Sequence, residues 1–174
     1  VDGKSIHHEY DLSPMIAAAI AMDGDDSIVT NTQFAYALMY TMLFRVAQST
    51  GSITVGTTNR DEFKIGWFGK TSDMVVDIQP IIRMSKMGIY NSEFTKNIPS
   101  SITGRAPNGD LYTGLSDEEV FGCSYEEVGA IISLLAMNEI NYTHLSENYP
   151  KLHTVLVKNA HKLGDYCTYN PIFM

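Results

Sequence analysis

Cysteine is nearly missing: the 174 residues hold two, Cys123 and Cys167. Two thiols with no Cys-x-x-Cys pattern build no disulfide framework, so a reducing, cytoplasmic setting is expected. Long apolar runs are lacking as well. The stretch "MIAAAIAM" (15–22) falls well short of the roughly 18 residues a membrane span needs, so no transmembrane segment is expected. Basic residues are scarce, 12 Lys and Arg against 20 Asp and Glu for a net charge of −8. That balance argues against a general nucleic-acid binder, whose affinity rests on clustered cations. A few lysines can still make a local positive pocket for a small anion. The chain opens on Val1-Asp2, without an initiator Met or a secretory pattern, and reads as a processed, nicked or split piece of something longer.

What is present is ordinary globular material: 44% apolar residues, 18% charged, 10 Tyr and 7 Phe. The length favours one domain over 1–174, large enough to bury a core without staples. "KSIHHEYDL" (4–12) reads as a short strand, and Ser13-Pro14 opens a helix through Met22, with Pro suited to the first helical position. "DGDD" (23–26) is a solvated loop, too short for a calcium loop of about a dozen residues. "NTQFAYALMYTMLFRVAQ" (31–48) is apolar nearly all round and predicts a helix buried on most faces.

"SITVGT" (52–57) is β-branched and Gly-bounded, which predicts an interior strand. A helix around 59–68, a strand or extended segment "MVVDIQPI" (74–81) and a helix around 82–90 follow. "RAPNGDLYTG" (105–114) is a loop. Ser116-Asp117-Glu118-Glu119 and Ser124-Tyr125-Glu126-Glu127 are each capping-box patterns, the second opening a helix over about 125–140. A further helix spans 148–162, before an irregular tail. Strands alternating with helices predict an α/β layer with a mainly parallel sheet.

Ligands of an open α/β sheet sit beyond the carboxyl ends of its strands, where Thr57 to Glu62 falls. A threonine hydroxyl, amides at a helix start and a carboxylate suit a nucleotide phosphate and its Mg²⁺. The same residues also read as a helix N-cap followed by first-turn acids, and the segment alone leaves both open. His7-His8 are adjacent on a predicted strand and so point to opposite faces, while His144, His153 and His161 lack zinc spacing. Trp67-Phe68 suit a core more than a ligand platform, and Asp110 suits an Asx-type turn. Lys86 or Lys162, taken singly, reads as a solvated charge.

Four stretches together go further. "VGTTNRDEFKIGWFGKTSDMVVDIQPI" (55–81), "RAPNGDLYTGLSDEEVFGCSYEEV" (105–128), "NAHK" (159–162) and "NTQ" (31–33) resemble, in order, motifs of the NAD synthetases, members of the adenine-nucleotide α-hydrolase-like superfamily. The resemblance implies a Rossmann-like, mainly parallel sheet flanked by helices. It implies ATP-dependent amidation of deamido-NAD to NAD through an acyl-adenylate, with ammonia as nitrogen donor, Mg²⁺ as metal and a homodimer built on the helix over 33–47. Carried over position by position, Thr57, Lys86 and Asn108 would meet ATP, Glu62 would bind Mg²⁺, and Lys86 and Glu62 would serve catalysis. Lys70, Asp73, Asp77, His161 and Lys162 would bind deamido-NAD.

The chain departs from the family in three places. The family's phosphate loop, Ser-Gly-Gly-x-Asp-Ser, does not occur, so the first strand-loop-helix unit is expected to be missing, as in a fragment of a longer chain or in a two-chain enzyme whose separate N-terminal fragment carries the loop. Ala35 and Ala37 stand where the family carries arginines. Lys162 is followed by Leu163 in place of Arg, and Val120 stands at an acidic position. These departures favour either the C-terminal part of an NAD synthetase, active only with its phosphate-loop portion, or a catalytically degenerate dimerisation or nucleotide-binding module. A GMP-synthetase-like amidating enzyme fits less well, because Lys70, Asp77 and the His161-Lys162 pair match the NAD synthetase pattern.

Overall fold

The computed structural model describes residues 6–69, 71–109 and 114–168. Two helices come first, α1 (Ser13–Asp23) and α2 (Ile28–Thr50). Pro14 starts α1, and Gly24 ends it at φ 75°, a left-handed conformation that glycine adopts without cost. Ser27 caps α2 by accepting from Thr30 N–H, so this helix begins three residues before the stretch singled out in the sequence. α1 buries no residue. Of α2 only Leu38 and Ala47 are buried, whereas Ile28, Val29, Met39 and Leu43 are exposed. The near-uniform apolarity of α2 predicts burial on most faces, but the described residues bury only these two positions fully.

The expected parallel sheet does not form among the described residues. The run over 52–57 meets 74–81 at one isolated parallel bridge, Val55 with Ile78, through Gly56 N–H to Ile78 O at 2.8 Å and Ile78 N–H to Thr54 O at 3.2 Å. Side chains take over where a ladder would continue. The Asp77 carboxylate accepts from Thr54 N–H at 2.7 Å and from the Thr54 hydroxyl at 2.8 Å, and Thr54 Oγ1 accepts from Asp77 N–H at 2.9 Å. Pro80, without an N–H, closes the second segment. Strand propensity alone does not make a sheet, and Ile53 and Val55 remain exposed. The Rossmann-like reading is therefore corrected to a helical arrangement with one β contact. Residues 6–12 are likewise not a strand.

The core lies among the later helices: α3 (Arg60–Ile65), α4 (Lys86–Tyr90), α5 (Ser100–Thr103), α6 (Asp117–Phe121), α7 (Tyr125–Ala136), α8 (Tyr142–Asn148) and α9 (Pro150–Thr168). Both capping boxes form, at Ser116 with Glu119 and at Ser124 with Glu127. Helix α9 continues to Thr168, so part of the expected tail is helical. Ile65, Phe121, Tyr125, Val128, Leu145 and Leu152 are almost wholly buried, one or two from each of α3, α6, α7, α8 and α9. Phe121 meets both Trp67 and Tyr125 edge to face, with centroids 5.1 and 5.5 Å apart, a favoured aromatic geometry. Cys123 joins this core, and burial pushes its thiol up to about 11, so it is no nucleophile near neutral pH. Among the described residues no helix is long and apolar enough to cross a membrane.

Candidate functional site

The turn that leads into α3 builds the centre of the site. Asn59, 2% exposed, accepts from Asp61 and Glu62 N–H at 2.9 and 3.0 Å. Glu62 Oε2 returns the bond to Asn59 N–H at 3.0 Å. This reciprocal cap locks the Glu62 side chain and leaves Oε1 for other partners. Lys86 Nζ lies 3.2 Å from that oxygen and 5.0 Å from the Tyr125 ring centroid, a cation–π distance. Replacing Asn59 by Ala removes the cap and is expected to cost about 1–2 kcal/mol. Urea unfolding checks this: the midpoint falls while the slope stays unchanged.

Behind Glu62 stands a buried polar relay. The Tyr125 hydroxyl donates to Asp117 Oδ2 at 2.8 Å and lies 3.4 Å from Glu62 Oε1, while Trp67 Nε1 donates to Asp117 Oδ1 at 3.1 Å. Burial first, then the charges of Glu62 and Asp117, drive the Tyr125 phenol far above its ordinary value, so it stays a neutral donor. A second cluster forms around Asp73, whose Oδ2 accepts from Gly69 N–H at 2.6 Å and whose Oδ1 accepts from the Tyr40 hydroxyl at 2.8 Å. Burial and then Asp73 raise the Tyr40 phenol. Lys162 Nζ donates to Gly66 O and Phe68 O at 3.2 and 2.7 Å. Burial lowers its ammonium, and the Asp73 charge partly restores it.

These groups share one cavity of 610 Å³, whose wall includes Thr57, Glu62, Asp73, Lys86, Asn108 and Lys162. Trp67 and Phe68 line it as well while also packing on the core, so the core reading of that pair is incomplete. Gln33 and Tyr36 bring α2 to the rim, and the Tyr36 hydroxyl donates to Gly109 O at 2.5 Å. Two of the positions singled out in the sequence stand apart from this wall. Asp77 brackets Thr54, and His161 is exposed with Nδ1 3.0 Å from Lys158 O. Lys70 and Asp110 lie outside the described residues.

Sequence reasoning missed Asp117, Tyr125, Tyr40 and Gly69 as parts of the site. Asp117 and Tyr125 fall inside capping-box patterns that explain them locally, and nothing in the spacing brings Tyr40 to Asp73. Among the described residues no three His, Cys, Asp or Glu side chains converge as a metal cage. Mg²⁺ is usually held by one or two carboxylates together with substrate phosphates. Glu62 Oε1 is one such carboxylate oxygen at the cavity, so the donor set fits a magnesium ion carried on a nucleotide and not a fully protein-bound one.

The sequence model of the NAD synthase family matches residues 6–165. The chain belongs to the NAD synthase family. The NH(3)-dependent NAD(+) synthetase of Thermotoga maritima is 36% identical over 110 residues, covering 63% of this chain and 38% of that protein. The synthetase of the same name from Methanoregula boonei is 30% identical over 158 residues, covering 90% of this chain and 62% of that protein. The chain thus spans well under two thirds of the Thermotoga relative and somewhat under two thirds of the Methanoregula one. Among solved structures, the NMN synthetase of Francisella tularensis superposes with a TM-score of 0.73 at 23% identity, over 90% of this chain and 63% of that one. The NH3-dependent NAD synthetase of Campylobacter jejuni gives 0.64 at 18% identity, over 94% and 64%. These two show likeness of fold alone.

Proposed function

We propose that this chain forms part of an NAD synthetase that amidates deamido-NAD to NAD at the expense of ATP. The observation that carries the reading is the convergence of Thr57, Glu62, Lys86 and Asn108 with Asp73 and Lys162 around one cavity. In the proposed reaction the nicotinate carboxylate attacks the α-phosphorus of ATP, forming the acyl-adenylate and releasing pyrophosphate. Ammonia then displaces AMP and leaves the amide. Such chemistry is mainly positioning and charge neutralisation.

Each residue has a part in this scheme. Lys86 moves its ammonium from Glu62 to a phosphate oxygen, a point-charge role that suits lysine. Thr57 and Asn108 orient the nucleotide through hydroxyl and amide. Glu62 holds Mg²⁺, which when bound supplies charge neutralisation on the phosphates. Two of the three Lys162 donors are engaged by Gly66 and Phe68, leaving the third for the substrate carboxylate. Asp73, fixed by Tyr40 and Gly69, lines the same end, and Lys70, Asp77 and His161 join as the substrate enters. The phosphate loop is supplied from outside these 174 residues, and a homodimer covers the exposed apolar positions of α2, in a reducing cytoplasm.

The test is direct. The chain combined with a polypeptide bearing the Ser-Gly-Gly-x-Asp-Ser loop, ATP, Mg²⁺, ammonia and deamido-NAD should yield NAD, AMP and pyrophosphate. No NAD with the loop present rejects the reading. Ala35 and Ala37, neutral where the family has arginine, favour a second reading, a degenerate module retained for dimerisation or nucleotide binding. Mg²⁺-dependent ATP binding lost in Glu62→Ala supports the enzyme, and dimers indifferent to ATP support the module.

A further inference from the structure

Asp61 does not line the cavity, yet its side chain is wholly buried and directly precedes Glu62. Burying a carboxylate is costly unless it is paired and hydrogen-bonded. Here both oxygens are engaged. Oδ1 accepts from Arg60, with Nε at 2.9 Å and Nη2 at 2.8 Å. Oδ2 accepts from the backbone N–H of Lys86 at 2.8 Å. Bonds to an ionised acceptor are stronger than neutral ones. One residue earlier, Arg60 N–H donates to Met84 O at 2.8 Å. Two straps therefore join the chain entering α3 to the chain entering α4.

The need for such straps follows from the length of α4. Five residues, Lys86–Tyr90, are little more than one turn, and a helix that short has no stability of its own. The position of Lys86 must come from tertiary contacts. Packing leaves little slack: a Cβ added at Gly129 of α7 would sit 3.3 Å from Arg60 Nη2 and 3.7 Å from Asp61 Oδ2. Helix α7 thus passes close to the Arg60–Asp61 pair at the point where the carboxylate holds the backbone of Lys86.

We propose that Asp61 is a positioning residue for the nucleotide site: its buried carboxylate holds the Lys86 backbone so that the ammonium stands at Glu62 and faces the phosphates of Mg·ATP. The inference rests on the nucleotide reading given above. Asp61 touches no substrate, and its effect passes through Lys86.

Two substitutions and two readouts test it. In Asp61→Ala the Lys86 amide loses its acceptor, and in Asp61→Asn the side-chain carbonyl can still take that bond while Arg60, 32% exposed, turns to solvent. With the loop-bearing polypeptide present throughout, titration calorimetry of Mg·ATP should give a dissociation constant raised about tenfold in Asp61→Ala, with Asp61→Asn within about threefold of wild type, since one charge-assisted hydrogen bond is worth about this much. Amide hydrogen exchange should show the Lys86 N–H losing protection in Asp61→Ala and keeping it in Asp61→Asn. Wild-type affinity in Asp61→Ala, or unchanged protection of the Lys86 amide, overturns the proposal. So does equal damage in both variants, which would mark a role in folding alone. If wild type itself fails to bind Mg·ATP, the nucleotide reading fails, and the exchange measurement still decides the strap: protection lost in Asp61→Ala and kept in Asp61→Asn upholds it, and unchanged protection removes it.

Discussion

Lys86→Ala should lower turnover of the assembled synthetase by a factor of about 100–1,000, the usual loss when one charge-stabilising group leaves a transition state. The basis is its location. Lys86 Nζ sits 3.2 Å from Glu62, with side chains 21% and 16% exposed, so the ammonium is already partly dehydrated and points into the cavity. Its exchange of one anionic partner for another involves little further desolvation. The fold should barely register the change, because an ion pair that solvent still reaches is worth about 0–1 kcal/mol. Arginine is not an equivalent replacement, since its planar fork requires a different geometry from a point charge. Steady-state kinetics beside urea unfolding check both halves: kcat falls and the midpoint stays. An unchanged kcat would remove Lys86 from the chemistry.

Tyr125→Ala should produce the largest loss of stability, about 3–5 kcal/mol, as expected when a buried aromatic leaves a cavity behind. Tyr125 is 1% exposed and packs edge to face on Phe121. Tyr125→Phe separates ring from hydroxyl. It keeps the packing, leaves Asp117 with Trp67 as its donor, and should cost about 1–3 kcal/mol. The pH dependence has a definite sign. The folded phenol is raised far above its ordinary value, so between pH 10 and alkaline extremes the unfolded chain loses this proton while the native one keeps it. The native state then binds more protons, and stability falls as pH rises above about 10, at up to 1.4 kcal/mol per pH unit from this group. Tyr125→Phe should remove that share of the slope. An alkaline slope identical in the variant would contradict the buried, neutral hydroxyl.

The local features of this chain are legible because they are local. Each capping box needs Ser and Glu three residues apart, and both form. Pro14 and Gly24 mark the ends of α1 for equally short-range reasons. The sheet was not legible, because a strand is a statement about neighbours. The β-branched run at 52–57 has the propensity, yet the Asp77 carboxylate and Thr54 hydroxyl satisfy each other's backbone where a further ladder bond would go. The gathering of Thr57, Glu62 and Lys86 could be anticipated through resemblance to a family, since residues 24 apart in sequence carry no spacing signal of their own. Asp61 and Asp117 were hidden by their positions. A carboxylate in the first turn of a helix looks like an answer to the helix dipole, and only the fold shows both turned inward, at 0% and 5% exposure.

Titration calorimetry of ATP, with and without Mg²⁺ and with the loop-bearing polypeptide present, against wild type and against Thr57→Val, Glu62→Gln and Lys86→Ala tests the central claim most directly. One nucleotide held jointly by these three groups predicts binding that requires Mg²⁺ and weakens at least tenfold in every variant. Binding that is indifferent to Mg²⁺ and equal in all four proteins would contradict it.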